Sequence, residues 1–124
     1  MTEQRHRLPN TRNSITHRVE ICDLALGSMD AYITVGLYED GSPGEVFVKI
    51  GKVGSTLDGL LDTVGILLSY AFQNGLPLED ICKKLRHLKY EPCGTTDNPD
   101  IPECSSLVDY IGHWLERRFL HGVG

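Results

Sequence analysis

The side chains best suited to hold a soft metal ion in this 124-residue chain are His87, Cys93, Cys104 and His113, which stand six, eleven and nine residues apart. Imidazole and thiolate are zinc ligands. Zinc sites, however, usually draw two ligands from one tight turn, which limits the ordering cost. No such short pair occurs here, so the spacing disfavours zinc and favours free thiols and surface histidines. A redox or metal module on Cys93 and Cys104 is the weaker alternative, because a reducing compartment keeps such thiols unpaired.

A second candidate is the start of the Leu-rich segment at Gly54, Ser55 and Thr56, with Lys52 just before it. Backbone N–H groups at a helix N-terminus favour an anion, here a nucleotide phosphate. Without a Walker-type glycine loop, an ordinary capped helix is the simpler expectation. Asp58 and Asp62 share a helix face, but general acid–base catalysis needs a third group and a pocket. His17 alternates with Ile15 and Val19 and reads as a half-buried strand residue. No cationic pocket can be assigned to Cys22 or Cys82, so neither is expected as a thiolate. No catalytic constellation emerges.

Charge is unevenly spread. Residues 1–18 carry Arg5, Arg7, Arg12 and Arg18 against Glu3, a balance of +3, while the whole chain carries -5. A basic arm on an acidic body can contact nucleic-acid phosphates, a partner's acidic face or its own body. The start is polar and basic with no apolar block, so no secretory leader is expected. No apolar run approaches the roughly 20 residues of a membrane span. A cytoplasmic location follows as the expectation.

These side chains must be positioned by elements that the patterning foretells. Residues 1–14 are aperiodic and read as an extended arm, and residues 15–120 as one domain. Ile15, His17, Val19 and Ile21 alternate with polar residues, the period of a half-buried strand. Gly27–Asp30 reads as a turn. Tyr32–Tyr38 and Val46–Ile50 read as two more strands, separated by the Gly/Pro turn 39–44. Leu57, Leu60, Leu61, Val64, Leu67, Leu68, Ala71 and Phe72 make an amphipathic helix, with Ser55 as N-cap and Gly75 as the left-handed C-terminal residue. Pro77 opens a second helix carrying Leu78, Ile81 and Leu85. Three prolines make 91–103 a loop without regular elements. Ser105 caps a third helix through Phe119. The fold class is therefore α+β: a three-stranded antiparallel meander followed by three helices packed on one face.

Several of these segments carry a resemblance: Arg7-Leu8-Pro9, Ser14–His17, Tyr32–Gly41, Pro43–Val48, Gly54-Ser55-Thr56, Gly75–Leu78, Glu91-Pro92, Pro99–Pro102 and Asp109-Tyr110-Ile111 with Trp114-Leu115. Together they resemble the TSCPD domain, found near the C-terminus of adenosylcobalamin-dependent (class II) ribonucleotide reductases and also as stand-alone proteins. The resemblance implies an accessory role in deoxyribonucleotide metabolism. Radical chemistry needs a large barrel that this chain has no room for. It follows that the chain has no cofactor of its own and meets adenosylcobalamin only by association with a reductase. The expected partner is that reductase or another nucleotide or DNA enzyme. A homodimer is expected as well, since two-fold dimers are the commonest oligomers. The alternative is a nucleic-acid-binding accessory protein of a polymerase or reverse transcriptase, working through the basic arm.

Overall fold

The computed structural model describes residues 5–51 and 55–122. Five strands are hydrogen-bonded in the order β3-β2-β1-β4-β5: β1 (Ser14–Asp23), β2 (Gly27–Leu37), β3 (Pro43–Ile50), β4 (Gly94–Thr96) and β5 (Glu103–Cys104). The helices are α1 (Thr56–Gln73), α2 (Leu78–Leu85) and α3 (Leu107–Leu115), the last continuing as a π-helical turn, Glu116–Leu120. The fold is α+β and begins with the three-strand meander. Among the described residues no helix is long and apolar enough to cross a membrane.

The chain forms two compact units, Met1–His17 with Tyr32–Pro77, and Arg18–Ala31 with Leu78–Gly124. In the first, β3 alternates with period two: Val46, Val48 and Ile50 are buried while Phe47 and Lys49 are exposed. Helix α1 packs on β3 through Leu61, Gly65, Leu68 and Phe72. A Cβ on Gly65 would lie 2.8 Å from the Val46 carbonyl, so glycine permits this approach. Ser55 Oγ accepts the Asp58 N–H at 3.1 Å, the expected N-cap. At the other end Gly75 has φ +79, its N–H donates to Phe72 O, and Leu76 N–H donates to Ala71 O. These paired bonds form a Schellman motif. The apolar stripe of α1 is wider than the surface it buries, because Leu60 and Leu67 on its outer side remain 59% and 64% exposed.

The second unit departs from expectation in three places. The first turn is Leu24–Leu26 rather than Gly27–Asp30, which belong to β2. Asp23 Oδ1 accepts the N–H groups of Ala25 (2.7 Å) and Leu26 (2.9 Å), closing the turn early, and Gly27 leaves it at φ +88. The loop 91–103 contains the hairpin β4–β5, in register Gly94↔Cys104 and Thr95↔Glu103, with Ile21↔Thr96 joining it to β1. Gly94 allows this pairing: its φ is +142, and a Cβ there would lie 2.1 Å from the Cys22 carbonyl oxygen. The N-cap of α3 is Ser106 rather than Ser105; its Oγ accepts the Asp109 N–H at 2.9 Å. Helix α3 is buried nearly all round, with Tyr110, Ile111 and Leu115 fully enclosed. A Cβ on its Gly112 would lie 2.9 Å from Leu85 Cβ, so glycine sets the close approach of α2.

Candidate functional site

In the second unit, helix α2 ends at Leu85, and His87 follows with φ +72. That left-handed conformation is usually glycine's at a helix C-terminus. It turns the imidazole edge-on to His113, with ring centroids 5.7 Å apart. Asp109 lies in the first turn of α3 and His113 one turn later, so both project from one face. His113 Nε2 is 3.2 Å from Asp109 Oδ1. The carboxylate is buried, and it also accepts the backbone N–H of His87 on Oδ1 and of Ser105 (3.1 Å) on Oδ2. Two imidazoles therefore meet an anchored carboxylate at the wall of a concavity of about 580 Å3, which Cys22, Glu103 and Cys104 also line.

The sequence singled out His87, Cys93, Cys104 and His113, and the structure brings the two histidines together. Cys104 shares their concavity, and Cys93 does not line it. The Cys93 N–H instead donates to Asp23 Oδ2 at 2.8 Å. All four cysteines are free thiols. Burial pushes the Cys104 thiol up to about 11 and the Cys82 thiol likewise to about 11. Asp109 escaped the sequence reading, which set the helix cap at Ser105 and gave this carboxylate no role of its own. Its signal was the Asp109–His113 spacing of one helical turn.

In the first unit the basic arm lies against its own body. Arg5 Nε donates to Gln73 Oε1 at 2.8 Å, and the guanidinium sits 4.2 Å over the Tyr70 ring. His6 N–H donates to Gln73 O at 2.7 Å, and Tyr38 OH donates to His6 O. Arg12 grips Glu45 with two bonds of 2.5 and 3.0 Å, which raises the guanidinium pKa further. Arg7 lines a surface depression beside Tyr38 and Asp40. In the second unit Arg18 pairs with Asp30 (2.6 Å) and Asp97 (3.4 Å). Of the proposed anion site, Ser55 is occupied as the cap and Thr56 is exposed, while Lys52 and Gly54 lie outside the described residues.

The TSCPD domain family model matches residues 4–119. A vitamin B12-dependent ribonucleotide reductase of Rhodopirellula baltica is 46% identical over 119 residues, covering 96% of this chain and 11% of the relative. The one of Streptantibioticus cattleyicolor is 40% identical over 116 residues (94% and 18%), and that of Agrobacterium fabrum 29% identical over 121 (97% and 9%). The chain thus spans less than a fifth of the length of these curated relatives. No solved structure matches. The resemblance carried by the turn, cap and core residues is therefore one of descent, and the chain belongs to the TSCPD domain family.

Proposed function

We propose that this chain is a non-catalytic accessory module of deoxyribonucleotide synthesis that works by docking on a protein partner, a ribonucleotide reductase. One observation carries the reading: nearly all of the chain matches a small portion of reductases many times its length. The matched portion is 11% and 18% of two such enzymes, the size of one module rather than of a whole reductase. What the chain offers is surface. The outer side of α1 presents Leu60, Ile66, Leu67 and Tyr70, each about half exposed or more. Apolar side chains grouped on one helix face are characteristic of a contact site. A second copy of the chain could use the same face, giving a homodimer.

The nucleic-acid reading has less support. Arg5, Arg12 and Arg18 already engage Gln73 and Tyr70, Glu45, and Asp30 with Asp97. Phosphate binding would first have to break those contacts. The test is a pair of exposed substitutions, Leu60→Glu and Leu67→Glu. They should leave the circular dichroism and melting temperature of the chain nearly unchanged and abolish its capture by a B12-dependent reductase lacking its own matching segment. Capture that persists in the double variant would refute the docking face. Ribonucleotide turnover by the isolated chain with adenosylcobalamin would refute the non-catalytic role.

A further inference from the structure

We infer that His87, Asp109 and His113 form a binding site for a zinc-class divalent cation. One ligand atom from each lies within 4.8 Å of the others. In tetrahedral zinc, with bonds of about 2.0–2.1 Å, two ligand atoms stand roughly 3.3 Å apart. The Asp109 Oδ1 to His113 Nε2 distance of 3.2 Å already has that length. The His87 ligand atom lies within 4.8 Å of both.

Three independent features favour a cation over a plain Asp–His hydrogen bond. The ligands come from the turn after α2 and from α3, with two of them at the i, i+4 spacing that places donors on one helix face. His87 is exposed, so packing does not require an imidazole there, yet a non-glycine residue is held in the left-handed region. Such conformations persist where the surrounding structure holds them in place, and they cluster at active sites and ligand clamps. The third feature is Asp109, a carboxylate only 3% exposed that faces the two imidazoles. Its Oδ2 and backbone N–H are fixed by Ser105 N–H and Ser106 Oγ, the kind of support that orients a metal ligand. Two imidazoles and one carboxylate match the preferences of zinc and neighbouring divalent ions. All three residues line the same concavity of about 580 Å3.

The test uses the full chain without a histidine tag, freed of metal by chelation. Zinc alone, titrated calorimetrically, should bind with one equivalent, and cobalt(II) should give the visible ligand-field absorption of a tetrahedral site. His87→Gly, which suits the left-handed backbone, and His113→Gln should each weaken zinc binding by about 100-fold or more, since changes even in supporting residues cost 10–100-fold. A readout without variants comes from the five histidines, His6, His17, His87, His113 and His121. Zinc should shift the imidazole NMR signals of His87 and His113 and leave the other three in place. No saturable binding, binding unchanged in both variants, or binding lost only on Cys93→Ser or Cys104→Ser would overturn the assignment.

Discussion

Ser69 Oγ accepts the N–H of Val46 at 2.9 Å, while its single proton faces the Gly65 carbonyl at 2.8 Å and the Val46 carbonyl at 3.3 Å, so one hydroxyl on α1 satisfies a backbone donor on the outer edge of β3. Edge strands otherwise present unpaired backbone groups that invite association. Ser69→Ala should destabilise the chain by about 1–3 kcal/mol, because it orphans a part-buried donor. Urea denaturation measures this, and an unchanged midpoint would mean that water replaces the hydroxyl.

The neighbouring glycine makes a complementary prediction. Alanine is the better helix former by about 1 kcal/mol, but a Cβ at Gly65 would meet the Val46 carbonyl at 2.8 Å. Backbone cannot yield cheaply, so Gly65→Ala should be destabilising by about 1–3 kcal/mol. A stabilised variant would show that α1 does not lie so close to β3.

Thiol reactivity should follow exposure and acidity. Cys22 is exposed, whereas Cys82 and Cys104 are buried, with burial raising both thiols to about 11. At neutral pH the buried pair is protonated and shielded, and the thiolate is the reactive form. Alkylation followed by mass spectrometry should modify Cys22 first and Cys82 and Cys104 only on unfolding. Rapid labelling of Cys104 in the folded chain would contradict its burial in β5.

Asp23 should matter for acid stability. The Cys93 N–H, then those of Leu26 and Ala25, hold its carboxyl below the ordinary value of 3.8. A carboxyl depressed in the folded state adds stability that is present above the unfolded pKa and lost as pH falls through the folded one. Asp23→Asn should therefore lower the melting temperature at pH 6. Its gap to wild type should narrow once the pH drops below about 3.8. A gap independent of pH would show that only geometry, and not charge, is at work.

The parts of the fold readable in advance were those with a strong local signature. Strand β1 followed from alternation, β2 and β3 from β-branched and aromatic runs set off by the Gly/Pro turn, and α1 from its Leu-rich period with Ser55 and Gly75 at its ends. The hairpin β4–β5 was hidden because Pro92, Pro99 and Pro102 dominate its surroundings and its pairing depends on Gly94 passing over Cys22. The turn after β1 shifted because the Asp23 carboxylate captures two N–H groups that no periodicity marks. In the candidate site, His87 and His113 were visible as donors, but their convergence was not. It rests on a histidine in a glycine-like conformation and on Asp109, a first-turn carboxylate that no periodicity marks.

Docking on a reductase is the central property of this chain to be measured. The direct measurement is calorimetric titration of the intact chain into a B12-dependent ribonucleotide reductase from which the matching segment has been removed. Saturable one-to-one binding tighter than about 10 μM, with no ribonucleotide turnover by the chain alone, is the predicted result. No binding heat at about 100 μM, or turnover by the isolated chain, would contradict it.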